Sequence, residues 1–364
     1  MLLRALRDPA VLTGLREPAW RDLLASARGS GVLVRLGRLL GERRLLDQIP
    51  EKARLQLAEA DCFVRRNQTD LRFEVNRVTR ALRDVGTSII LLKGAAYLYA
   101  GLPPRHTHFA FDLDILVPRE QVGRVEQALR AAGWQSAERS RYDDRYYREW
   151  MHEIPPLWHP DRLFAVDIHH AILPTTSRYQ PDTQALFAAA VQLGDGALRV
   201  LCPTDMVLHG AAHLFTEEFI SGLRQLAVLH DLLEHFGTHD RFWDELLERA
   251  RRHGLERILF YLVRYSGRVF GTAVPARIAA ALHAHRPNPA ALGIMDAAVT
   301  SALRPTLPGQ SQRRRRVALW VLYLRSHWLK MPPLLLARHL AAKTVQRLRS
   351  RFRLRWAGAA AHPN

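Results

Sequence analysis

The sequence predicts an α+β fold, with a small mixed sheet, flanking helices and a helical C-terminal half. Three observations carry this. Short apolar runs of strand length stand in the first half, with helical spacing between them. Beyond Pro174 the apolar residues recur at helical spacing as far as about residue 285. No strand–helix unit repeats, so the order helix, strand, helix, strand, more strands, then helices fits α+β better than a repeated βαβ fold.

In order along the chain, residues up to about Gly86 read as helical. Leu71, Val75, Val78 and Leu82 fall on one helical face, and Asp84-Val85-Gly86 looks like a helix end. Residues 87–92 then form a short buried strand. A short helix is expected over 95–100, closed by Gly101 and Pro103-Pro104. Residues 111–117 make a second strand. Pro118 opens the next helix, which carries Val122, Val125, Leu129 and Ala132 on one face and stops at Gly133.

Two further strands are expected at 146–154 and 163–169, with the turn-rich 157–162 between them. Helices follow at 203–215, 222–236, 241–253, 255–270 and 275–285. Residues 287–293 and 304–312 look like loops ahead of a basic tail. The expected organisation is a helical segment at 1–60, a catalytic core at 61–175, a helical domain at 176–303 and a basic amphipathic segment at 304–364.

With 364 residues the chain has room for two domains, or for one core with helical additions. The longest apolar runs fall short of the roughly 18–20 residues that span a bilayer. The opening MLLRALRDPAVL has no sustained apolar stretch and no small-residue cleavage site. No signal peptide is therefore expected, and the cytoplasm is the expected compartment. Cys62 and Cys202 are the only cysteines, which excludes a disulfide scaffold and a cysteine-rich zinc module.

The net charge of +18 is concentrated at one end. Residues 304–364 hold 14 basic side chains and no acidic one, leaving 39 basic and 35 acidic residues in the rest of the chain. The tail's arginines, Arg313 to Arg316 and the alternating series from Arg347 to Arg355, suit phosphates without sequence preference. The apolar stretches between them suit amphipathic helices lying on the body or on an anionic membrane surface equally well. The expected partners of 304–364 are therefore an anionic membrane surface, reached peripherally from the cytoplasm, or a nucleic acid. A solvated basic face is the plain alternative.

The chemistry concentrates in residues 89–118. One apolar run ends in Lys93-Gly94, and after Arg105 a second carries Asp112 and Asp114. Alternate side chains of a strand share a face, so these two carboxylates emerge together. Asp167 lies on a third apolar strand. Carboxylates on such strands are paired or metal-bound, and three of them suit Mg²⁺, which prefers carboxylate and phosphate oxygens. Lys93, the Gly94 backbone and Arg105 suit a phosphate tail. His169 shares the face of Asp167 and is a candidate contact to a carboxylate or substrate, with His152 nearby. His209 and His213 have metal-ligand spacing but lack the glutamate of a zinc-protease helix, and read as packed histidines.

Together these features resemble the nucleotidyltransferase superfamily, whose fold is that of the DNA polymerase beta catalytic domain. More closely, the chain is similar to a bacterial family of uncharacterised nucleotidyltransferases, over roughly residues 65–345. The resemblance rests on Leu92-Lys93-Gly94, Arg105, Asp112-Leu113-Asp114, the stretch MHEIPPLWHP with His152, and Asp167-Ile168-His169. It implies Mg²⁺-dependent transfer of a nucleoside monophosphate from an NTP, expected to be ATP, to an acceptor hydroxyl. Asp112, Asp114 and Asp167 would hold the metals, with Asp167 also helping to deprotonate the acceptor. Lys93, Gly94 and Arg105 would hold the triphosphate. The alternatives are a non-catalytic nucleotide-sensing or interaction module and nucleotide addition to RNA. The acceptor is not readable from the sequence.

Overall fold

A computed structural model describes residues 1–137, 141–194, 196–305, 311–335 and 337–338. Its centre is one open, mixed sheet of seven strands: β1 (Ile89–Leu91), β2 (Asp112–Leu116), β3 (Gln135–Ser136), β4 (Leu157–Trp158), β5 (Ala165–His169), β6 (Val191–Gln192) and β7 (Leu198–Val200). The strands lie in the order β3-β4-β5-β2-β1-β7-β6. β2 and β5 are central and parallel, β1 runs antiparallel to β2, and β7 lies parallel to β1. The α+β expectation holds, with a helical C-terminal half.

The apolar alternation decides which face of each strand is buried. Leu113 and Ile115 of β2 and Val166 and Ile168 of β5 are fully enclosed, leaving Asp112, Asp114, Asp167 and His169 to share the other face. The long helix Glu51–Ala81 buries Leu57, Val64, Leu71, Val75 and Val78 along one stripe, as its heptad-like spacing requires. The helix Pro203–Thr216 is buried nearly all round, and the helices Gly222–Phe236, Phe242–Arg252, Glu256–Phe270 and Arg313–Lys330 pack against it. A single apolar cluster runs from Leu2 to Leu322.

Three sequence expectations change. Residues 146–154, expected as a strand, largely form the end of the helix Arg141–Trp150. Tyr146, Tyr147 and Trp150 of this stretch sit among charges four apart. The pairs Arg145–Glu149 at 2.8 Å and Arg148–Asp144 at 3.1 Å lie along the helix surface. Only Glu153 joins the sheet, through a single antiparallel bridge to His169. Residues 157–162, expected as a turn, contain β4.

Residues 287–293, expected as a loop, open the helix Pro289–Leu303. Asn288 caps it by accepting from the Ala291 N–H at 2.8 Å, and Pro289 takes the first helical position, where a missing N–H costs nothing. The Asn-Pro pair is thus a helix start and not a break. Most of 304–312 and all of the tail beyond Arg338 lie outside the described residues.

Candidate active site

The site begins where β1 ends. Lys93 is the first residue of the helix Lys93–Tyr99 and adopts a left-handed backbone, φ +44°, a strained conformation for a residue with a side chain. That turn directs its ammonium across to β2, where Nζ lies 2.6 Å from Asp114 Oδ1. Gly94 follows with no room for a side chain. A Cβ there would stand 3.0 Å from both Ala110 Cβ and His108 Cδ2. Gly94 therefore lets the helix start pack directly on the loop that leads into β2.

That loop is pinned from the long helix. Asn67 Nδ2 donates to the Ala110 carbonyl and Asn67 Oδ1 accepts from the Ala110 N–H, both at 2.9 Å. One buried amide thus reproduces a rung of sheet just before Asp112.

The parallel register pairs Asp112 with Ala165, Asp114 with Asp167, and Leu116 with His169. Asp112, Asp114 and Asp167 each offer an oxygen, and the three lie within 4.8 Å of one another. Their charges are unequal. Burial alone would raise Asp114, but Lys93 and the His169 Nε2 at 3.0 Å hold its carboxyl well below the usual carboxylate range. Burial and the neighbouring Asp114 push Asp112 up to about 6. Burial, again with Asp114, pushes Asp167 up to about 8. Asp167 Oδ1 is buried with no hydrogen-bond partner.

This donor set fits a divalent cation. Like-charged carboxylates resist ionising together, and an orphaned buried oxygen lacks its positive partner; a hard cation relieves both.

His169 and His152 expand the arrangement. The Glu153–His169 bridge brings Glu153 Oε2 to 3.4 Å from His169 Nε2, while the His152 ring lies 5.2 Å from that of His169. Burial lowers His169, but the bond to Asp114 and the Glu153 charge overcome this and raise it. Burial holds His152 well below the usual imidazole range. His209 is buried and pushed down to about 3, which keeps it neutral, and desolvation holds the half-buried His213 well below the usual imidazole range. His213 lines the cleft beside Lys93.

Arg105 is not brought to the carboxylates. Its Nε donates to His106 Nε2 at 3.0 Å, and His106 itself feels Arg38, Asp61 and Glu42 of the N-terminal helices. The arginine that does reach the cleft is Arg224. It donates to the Phe109 carbonyl at 3.1 Å, lies 5.1 Å from the Phe111 ring, and lines the same hollow as Lys93 and Asp112. A larger hollow of about 590 Å³ near Arg80, Arg83 and Arg199 has no acidic lining residue, so the chemistry belongs to the smaller cleft.

Sequence reasoning missed Glu153, Asn67 and Arg224. Glu153 had a signal, standing beside His152 ahead of Pro155-Pro156. Asn67 and Arg224 sit in ordinary amphipathic helices and gave none.

The model of the family described as uncharacterised nucleotidyltransferase matches residues 16–271. The chain belongs to this family. No curated protein and no solved structure matches it. The family match takes in β1 to β7 and most of the helical half, so the carboxylates, Lys93 and Arg224 all lie inside it. Membership in a nucleotidyltransferase family and the acidic cluster agree on nucleotidyl transfer as the general chemistry.

Proposed function

We propose that the protein transfers a nucleoside monophosphate from an NTP, with ATP the first to test, to an acceptor hydroxyl and releases pyrophosphate. The observation that carries this reading is the meeting of three carboxylate oxygens from two parallel strands beside a half-buried lysine and a cleft-lining arginine. Asp112, Asp114 and Asp167 would hold Mg²⁺, which when bound neutralises phosphate charge and acidifies the acceptor hydroxyl.

The chain's own groups divide the remaining work. Lys93 fixes Asp114 with one of its three N–H donors and keeps the others for a phosphate oxygen. Arg224 takes the triphosphate role first expected of Arg105. Gly94 gives close approach at the start of the helix. Asp167, whose carboxyl would ionise beside a bound cation, takes the acceptor proton as the acceptor oxygen bonds to the α-phosphorus and the bond to pyrophosphate breaks. His169 orients Asp114, and His152 packs behind it.

The test is pyrophosphate release from each NTP in the presence of Mg²⁺ and cell extract. Release that depends on Asp112 and Asp167 supports the reading. NTP binding without release in any extract replaces it with a nucleotide-sensing module.

A further inference from the structure

The helix Arg313–Lys330 carries apolar side chains both on its packed side and on its outward side. Its packed face carries Ala318, Leu322, Ser326 and Lys330, all buried. Polar contacts hold that face to the body. Lys330 pairs with Glu217, Arg325 donates to the Phe215 carbonyl, and Thr176 Oγ1 donates to the Lys330 carbonyl at 2.7 Å. The outward face carries Val317, Trp320, Leu324 and Trp328, which are 57%, 61%, 46% and 49% exposed. Steps of three, four and four residues place these four side chains on one stripe. Leu334, 85% exposed, follows just past Pro332-Pro333. Two tryptophans facing water in a row, on a helix that already packs Leu319, Val321 and Leu322 against the core, are not explained by packing among the described residues.

The charges around the stripe narrow what covers it. Arg313, Arg314 and Arg316 are exposed at its N-terminal end, and no acidic residue occurs anywhere from 304 to 364. We propose that this face docks on an anionic lipid bilayer, with the helix lying in the plane of the interface. Tryptophan rings settle at the headgroup boundary, aliphatic side chains enter the acyl layer, and flanking arginines meet lipid phosphates. Among the described residues no helix is long and apolar enough to cross a membrane, so the mode is attachment and not insertion across it.

The competing occupants fit less well. A second copy could cover the apolar stripe but would offer the flanking arginines no acidic residue from 304–364. A nucleic acid would satisfy the arginines and leave Val317 and Leu324 in water. The inference is independent of the carboxylate site.

The experiment is co-sedimentation of the full-length protein with vesicles of mixed phosphatidylglycerol and phosphatidylcholine, against phosphatidylcholine alone. The wild type should pellet with the anionic vesicles, with a blue shift of tryptophan emission and release by added salt. Trp320→Ser/Leu324→Ser/Trp328→Ser should lower the partition by about tenfold or more while leaving the melting curve unchanged, because these side chains face outward. Trp320→Ser alone is the fallback, since Arg178 stacks on Trp328 at 4.3 Å. Equal partition of wild type and variants, or no partition at all, overturns the proposal. So does a wild-type dimer that the triple variant converts to a monomer, or salt-sensitive RNA binding that the triple variant loses without any lipid binding.

Discussion

Asp114 on β2 and Asp167 on β5 occupy the same rung of a parallel strand pair, and their surroundings drive their proton affinities in opposite directions. Lys93 and His169 keep Asp114 ionised despite full burial. Asp167 has no such partner for Oδ1 and holds its proton up to about pH 8. Two carboxyls with separated affinities can take separate roles, one a fixed anion and the other, once a cation's charge ionises it, a proton acceptor.

Removing either flank of that arrangement should stop the reaction. Asp112→Asn and Asp167→Asn are each expected to lower kcat by about a thousandfold or more, with the fold intact by circular dichroism. The scale follows from losing a cation ligand or a general base. Activity within a few-fold of wild type in either variant would remove that residue from the mechanism.

Stability without a cation should fall as pH rises. Asp112 and Asp167 bind protons more tightly in the folded chain than unfolded, where an Asp carboxyl titrates near 3.8. Their stabilising contribution is complete below that value and is lost as pH climbs through about 6 for Asp112 and about 8 for Asp167. The neutral buried histidines oppose this trend below about 6.5, where an unfolded imidazole takes up a proton, so in EDTA the melting temperature should decline between about pH 6.5 and about pH 8, and less steeply in Asp167→Asn. Mg²⁺ should restore the wild type at the upper end and do little for Asp167→Asn. A melting temperature that rises over this interval in EDTA contradicts the assignment.

Lys93 serves the fold as well as the phosphate. Asp114 is 2% exposed, so Lys93→Met leaves a buried carboxylate without its main counter-charge. The expected loss is roughly 3–5 kcal/mol. Adding Asp114→Asn should recover most of it, since the stranded charge disappears. Urea unfolding of the two single variants and the double variant measures this coupling, and simple additivity would argue against it.

Much of the site was legible because its chemistry is written on strands. Asp112, Asp114 and Asp167 stand out since apolar strands rarely carry charge, and the two-residue period puts each on a known face. Lys93-Gly94 marked the junction after β1, although the left-handed turn at Lys93 leaves no trace in residue type. The fold class and the helical half followed from periodicity. The presence of Arg224 in the cleft was not legible. Arg224 lies more than a hundred residues from Asp112 in sequence and shares its cleft only because the helix Gly222–Phe236 packs beside the loop before β2. The two-residue strands β3, β4 and β6 were too short to show alternation.

Asn67 should act on catalysis from a distance. Asn67→Ala leaves both the N–H and the carbonyl of Ala110 without their partner. The expected cost is about 1–3 kcal/mol in stability, with kcat falling as the chain before Asp112 loosens. Asn67→Asp, which keeps the accepting oxygen, should be milder in kcat. Equal activity in all three proteins would make the amide purely structural.

Arg224→Ala should raise KM for the nucleotide by about tenfold or more, the value of one charge-assisted hydrogen bond. Arg105→Ala should leave KM unchanged, because its side chain faces His106 and the N-terminal helices. The reverse pattern would return the triphosphate role to Arg105.

The most direct measurement incubates α-labelled ATP, GTP, CTP and UTP with Mg²⁺, cell extract and either wild type or the Asp112→Asn/Asp114→Asn variant. Label appearing on an acceptor with wild type alone is the expected result, and the acceptor's mass then identifies it. Label transfer that survives in the double variant, or none with any nucleotide together with no nucleotide-induced thermal shift, contradicts nucleotidyl transfer at these carboxylates.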